Sequence, residues 1–152
     1  MIFATDPSNR DPQAWLEGMR TISDRTALGA VGGSVVAIDD EKVVLEMEIS
    51  DASRQPFGLL HGGVSLLLAE SAASLHSAWL ADLSQQAPVG LDINGTHLSS
   101  AREGKVRVTA RLVRKARTHV FHEVEVAHID TGRLLCKARV TNFLKSIGPH
   151  KG

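Results

Sequence analysis

Residues 55–81 read QPFGLLHGGVSLLLAESAASLHSAWLA, and the architecture follows from them. The first nine hold Pro56 and the glycines at 58, 62 and 63, a composition that favours a loop. From Gly63 to about Leu80 the residues are apolar or small on nearly every face, which predicts a buried helix rather than a surface one. Its small residues (Ser65, Ala69, Ser71, Ala72, Ala73, Ser74, Ser77, Ala78) let strands approach closely. A membrane span is disfavoured, because Glu70, His76 and four serines interrupt the run and no basic cluster flanks it.

On either side of this helix the hydrophobic period is two. Between Ala30 and Ser50, Val43, Leu45, Met47 and Ile49 alternate with Val44, Glu46 and Glu48 after a turn at Asp39-Asp40-Glu41, which predicts a hairpin with one face buried. After Gln85 four further strands are expected, carrying Val89, Leu91 and Ile93; Val106, Val108, Ala110 and Leu112; Val120, His122, Val124 and Val126; and Leu134, Cys136, Ala138 and Val140. Short turns join them, so an antiparallel meander is expected. Near the N-terminus, Asp11-Pro12 followed by Trp15, Leu16, Met19 and Ile22 on one face predicts a short amphipathic helix. The fold class is therefore α+β: a curled antiparallel sheet around one long buried helix, with an additional short N-terminal helix, in a single domain over residues 1–152.

Cys136 is the single cysteine, which excludes a disulfide framework, and residues 1–8 lack the basic and apolar runs of a signal peptide. A reduced, cytoplasmic protein is expected. The formal net charge of zero hides a split: residues 1–101 carry five bases and thirteen acids, residues 102–152 twelve bases and four acids. Such asymmetry points to an anionic partner for the C-terminal half. No phosphate-binding, dinucleotide-binding or zinc-protease motif occurs. Mid-strand Cys136 reads as core. His119 and His122 fall on opposite faces of a strand, so no metal site is indicated.

Between Arg54 and Asp82 the one formally charged residue is Glu70, set within the predicted buried helix. A carboxylate there is expected to lose hydration, with its pKa raised. It is either a structural partner of a sheet arginine or a general base or nucleophile. The helix start, His61-Gly62-Gly63, is expected to leave backbone N–H groups free with no side chain in the way, which suits a developing oxyanion; the plainer alternative is a tight loop-to-helix junction. Gln55 offers an uncharged donor upstream, and His61 either binds substrate or fixes the loop. Ser74, one turn after Glu70, either holds water or substrate or bonds back to the Glu70 carbonyl. Glu70 and Gly62 are roughly 12 Å apart at 1.5 Å per residue, too far to serve one carbonyl carbon. Two such helices antiparallel about a twofold axis would place Glu70 of one chain beside the helix start of the other, a composite site in a homodimer.

The run from Arg54 to Ser71, with VGLDINGTH at 89–97 and SAREG at 100–104, resembles the hotdog-fold acyl-CoA thioesterases. The similarity is to the Glu-dependent 4-hydroxybenzoyl-CoA thioesterase subgroup, which includes thioesterases of menaquinone and enterobactin biosynthesis. It covers about residues 28–145 and rests on Gln-Pro-x-Gly-x-x-His-Gly-Gly with Ala-Glu. The resemblance implies hydrolysis of an acyl-CoA thioester, of an aryl or similarly compact acyl group, in a homotetramer built from dimers. It implies Glu70 as nucleophile or general base, Gln55 and the Gly62 N–H polarising the carbonyl from the opposite subunit, His61 near the thioester, and Ser74 close to the carboxylate. It places His97 at the acyl pocket and Gly63 and Ser100 in the substrate-binding set. No cofactor is implied, coenzyme A being part of the substrate.

The phosphates of coenzyme A give the basic C-terminal half a partner. Arg102, Lys105, Arg107, Arg111, Arg114, Lys115 and Arg117 are the candidates, Arg102 and Arg117 foremost, with solvated surface the alternative for each. Nucleic acid is disfavoured, since Phe121 is the one aromatic nearby. Two rivals are a hotdog hydratase or dehydratase, whose helix lead-in differs from Phe57-Gly-Leu-Leu-His-Gly, and a non-catalytic acyl-CoA sensor.

Overall fold

The computed structural model describes residues 11–148; the stretch 1–8, read above for a leader, lies outside them. In chain order the elements are α1 (Pro12–Ser23), α2 (Ala27–Ala30), β1 (Gly33–Ile38), β2 (Lys42–Glu48), a 3-10 turn at Asp51–Ser53, α3 (Gly62–Leu80), β3 (Gln86–His97), β4 (Lys105–Lys115), β5 (His119–His128) and β6 (Leu134–Ser146). The six strands form one antiparallel sheet in the order β1-β2-β4-β5-β6-β3, and α3 packs against every strand of it. This is the expected sheet around a single long helix. Asp11 caps α1 by accepting from the Gln13 N–H at 3.0 Å, with Pro12 in the first turn. Trp15 and Met19 of α1 are buried, Trp15 edge-on to Trp79 of α3. Among the described residues no helix is long and apolar enough to cross a membrane.

The expected four-strand meander holds only for β4, β5 and β6. β3 pairs with β6 at the far edge, and β4 lies between β2 and β5. Alternation fixes which face a side chain takes, not which strand lies alongside, and the connection over 98–104 carries the chain from the edge into the sheet.

A second departure lies within β3. Gly90 pairs with Asn142 and Asp92 with Thr141, so Leu91 is an extra residue, a β-bulge. The bulge shifts the phase of the strand. Gly90, Gly95 and His97 approach α3, whereas Val89 and Leu91, expected in the core, are 47% and 60% exposed. In the other strands the alternation is met, with Val43, Leu45, Met47, Val106, Val108, Val120, Val124 and Val126 all buried. Cys136 is fully buried too, and burial raises its thiol pKa.

A pair of histidines forms a polar chain in the core. His76 of α3 lies with Nε2 2.9 Å from the Asp39 carbonyl and Nδ1 2.8 Å from His122 Nε2. A carbonyl only accepts, so neutral His76 carries its proton on Nε2, and His122 must donate from its own Nε2. His122 Nδ1 is then a buried acceptor without a partner. Burial lowers both pKa values, that of His122 to about 3. Since the folded values lie below the unfolded one, this pair favours the fold above about pH 6.5 and destabilises it as pH falls toward 3. Urea unfolding at pH 7.5 and 4.5 is expected to show a loss on the order of 2–3 kcal/mol. His122→Gln should flatten that dependence; an unaltered slope in the variant would contradict this origin.

Candidate active site

The loop before α3 is tied down along its length. Gln55 N–H donates to the Leu59 carbonyl at 2.8 Å and Gly58 N–H to the Gln55 carbonyl at 2.9 Å, with Gly58 at φ +80 where only glycine is unstrained. Arg102 Nη1 donates to the Phe57 carbonyl at 2.9 Å, and Arg54 Nε to the Arg102 carbonyl at 2.9 Å. The Gln55 side-chain Oε1 accepts from the Phe57 N–H. The Gln55 amide nitrogen makes no hydrogen bond among the described residues and is an unspent donor.

The helix begins one residue earlier than expected, at Gly62, with His61 as its N-cap. His61 Nδ1 accepts from the Gly63 N–H at 2.8 Å, so that N–H is not free as the sequence reading had it. A side chain at the cap position takes one of the first amide protons. The Gly62 N–H has no acceptor among the described residues and sits at the positive end of the α3 dipole. His97 packs against Gly62 on the side a side chain would take: a Cβ there would fall 2.8 Å from His97 Nε2. The structure thus brings Gln55, His61, Gly62, Gly63 and His97 to one end of α3.

Glu70 is exposed in the single chain, which corrects the expectation of a desolvated carboxylate. The sheet covers only one side of α3. Leu68, Ala69, Ala72, Ala73, His76 and Ser77 are buried, while Glu70, Ser71, Ser74 and Leu75 lie on the open side. The Glu70 carboxylate rests on β3 where Gly90 leaves room, since a Cβ there would be 2.2 Å from Oε1. None of the ion pairs among the described residues includes Glu70, so the structural alternative, a sheet arginine, is not met.

Ser74 accepts a hydrogen bond from Asn142 Nδ2 at 2.8 Å and makes no bond back to the Glu70 carbonyl. It borders two adjoining cavities. One, of about 480 Å³, is lined by Leu75, Ala78, Leu83, Ala87 and Pro88. The other, of about 250 Å³, is lined by Met19, Ile22, Leu28 and Ser71, so α1 and α2 contribute a wall.

The basic candidates do not converge in one chain. β3 runs antiparallel to α3, with His97 beside Gly62 and Gln86 at the other end, where its Nε2 donates to the Arg117 carbonyl at 3.5 Å. Arg102 therefore sits at the helix start and Arg117 at the helix end. Arg107 is engaged by Glu46 at 2.6 Å, and Lys115 Nζ donates to the Leu80 carbonyl. Ser100 is exposed, its carbonyl accepting from Arg133 Nη2 at 2.6 Å. Among the described residues no group of three or more His, Cys, Asp or Glu could hold a metal ion.

With this geometry in view, the family model described as Thioesterase superfamily matches residues 57–136. The chain belongs to the thioesterase superfamily. The matched residues include Gly62, Glu70, Gly90 and His97 and stop short of Gln55 and Asn142. Among curated relatives, the 1,4-dihydroxy-2-naphthoyl-CoA hydrolase of Escherichia coli is 35% identical over 85% of this chain and 93% of its own. A Pseudomonas aeruginosa thioesterase with a Gln→Ala substitution superposes with TM-score 0.85 at 31% identity, over 97% of this chain and 100% of that one. A Staphylococcus aureus thioesterase is 34% identical, with TM-score 0.75 over 78% of this chain and 97% of its own. Its solved variants replace by Ala a Gln and a Glu that stand fifteen residues apart. This superfamily member is a hydrolase with the hotdog fold.

Two residues of the site were not singled out from sequence. Gly90 gives Glu70 its seat, and a lone glycine between Val89 and Leu91 carries no signal of that. Asn142 was within reach: continuing the inward series Cys136, Ala138, Val140 by two puts one amide on the buried face, where it must find partners.

Proposed function

We propose that the protein hydrolyses an acyl-CoA thioester, of an aryl or similarly compact acyl group, at sites shared between two copies of the chain. One observation carries the reading: an unpaired Glu70 carboxylate seated on Gly90, two helical turns and about 12 Å from the helix start where Gly62 and Gln55 hold unspent donors. Gln55 and Glu70 are fifteen residues apart, the same spacing as the Gln and Glu replaced in the Staphylococcus aureus thioesterase.

The open edge of β3 supplies the pairing surface. Val89 and Leu91 are 47% and 60% exposed beside it, and a second β3 laid antiparallel would satisfy its free backbone groups. A pairing centred near Ile93 and Asn94 sets Gly90 of one chain opposite His97 of the other. Glu70 then faces the partner's Gly62 N–H and Gln55 amide.

In that arrangement the two donors hold the thioester oxygen as charge develops on it. Glu70 either removes a proton from the attacking water or attacks the carbonyl carbon itself, to give an anhydride that water opens. In both routes the C–S bond breaks, the thiolate of coenzyme A leaves, and the free acid forms. The apolar cavity beside Ser74, at about 480 Å³, is of a size for a compact acyl group, with the partner adding further wall. Arg102 of one chain and Arg117 of the other are candidates for the phosphates.

A panel of aryl- and fatty-acyl-CoAs with a thiol-trapping reagent tests the reading. Thiol release, fastest with aryl substrates, is the expected result. Water addition to an enoyl-CoA without thiol release would replace it with a hydratase, and binding without turnover with a sensor.

A further inference from the structure

Asn142 is fully buried in β6, its backbone paired with Gly90 on one side and Val120 on the other. Its inward neighbours along the strand are Val140 and Leu144, both apolar. An amide in such surroundings is costly unless it is bonded. Its Oδ1 accepts from Ser77 Oγ at 3.2 Å, and its Nδ2 donates to Ser74 Oγ at 2.8 Å.

The second of these bonds has a directional consequence. Ser74 Oγ already receives a proton from below, so its own proton must find an acceptor elsewhere. The usual outlet for a helical hydroxyl is the carbonyl four residues back, as Thr21 Oγ1 does to the Glu17 carbonyl at 3.2 Å in α1. Ser74 makes no such bond. Its proton is left for the open side of α3, where both cavities border it one turn beyond Glu70.

We propose that Asn142 is a positioning residue that fixes Ser74 Oγ as a donor into the cleft, toward an oxygen held beside Glu70. This rests on the reading of Glu70 as the reacting carboxylate. Asn142 itself touches no substrate. It acts through Ser74, and Ser77 fixes its own amide from the far side.

The test is a double-mutant cycle on kcat and KM for Ser74→Ala and Asn142→Leu, with the best acyl-CoA of the panel. Each single variant is expected to lower kcat about tenfold with KM little changed. The double variant should be no slower than Ser74→Ala alone, because Asn142 has nothing left to direct. A full further loss in the Ser74→Ala background, or an unchanged kcat in Asn142→Leu, would overturn the proposal. Asn142→Val, smaller and without a donor, runs through the same cycle with the same two readings if the leucine variant does not fold. Glu70→Gln separates the two levels. A fully active Glu70→Gln removes the reading beneath, whereas an inactive one with an additive Ser74–Asn142 cycle removes only the role given to Asn142.

Discussion

Glu70→Gln is expected to lower kcat by about 10³- to 10⁴-fold, the upper range for loss of a positioned general base. Glutamine keeps the shape of the side chain and its seat on Gly90 but neither takes a proton at neutral pH nor attacks a carbonyl. The loss corresponds to about 4–5.5 kcal/mol of barrier. Stability should hardly move, because Glu70 is exposed and makes no ion pair among the described residues. Steady-state kinetics and a thermal melt check both halves. A kcat within tenfold of the parent would take Glu70 out of the chemistry, and a collapsed melting curve would make it structural.

Gln55→Ala should cost about 10²- to 10³-fold in kcat, the range seen when one oxyanion donor is removed. The loop itself should persist. The Gln55 N–H to Leu59 and Gly58 N–H to Gln55 bonds are made by backbone, and Arg102 holds the Phe57 carbonyl from outside. What alanine removes besides the donor is the acceptor for the Phe57 N–H. Gln55→Glu separates the two, since a carboxylate still accepts from Phe57 but presents negative charge to the oxyanion. It should be no faster than Gln55→Ala; recovery of the rate by Glu would assign Gln55 to the loop rather than to the substrate.

Much of this was legible in the sequence because the physics is local. The alternation in β2, β4 and β5 follows directly from period two, and α3 from a run of small and apolar residues with a loop before it. The bulge at Leu91 was not legible, since the extra residue is defined by what lies opposite it on β6. The place of β3 in the sheet was hidden for the same reason. Glu70 stands out in the sequence as an isolated charge, but its exposure does not. An all-round apolar helix predicts burial on all sides, and in one chain the sheet supplies only one. The open side carries Glu70, Ser71, Ser74 and Leu75, which is what a second chain and a substrate would cover. The bond from the Gly63 N–H to His61 Nδ1 ties that side chain to the helix start, a contact that depends on the N-cap geometry rather than on any pattern in the sequence.

The central claim is that each site takes its carboxylate from one chain and its oxyanion donors from the other. Subunit mixing tests it most directly. Glu70→Gln and Gln55→Ala proteins, each nearly inactive alone, are unfolded together and refolded as a mixture, with exchange verified by mass. In a hybrid dimer one site receives both defects and the other neither, so activity should return to about one quarter of the parent at equal mixing. If each chain instead supplied its own Glu70 and Gln55, every site would keep a defect, and a verified mixture with no recovery would contradict the account.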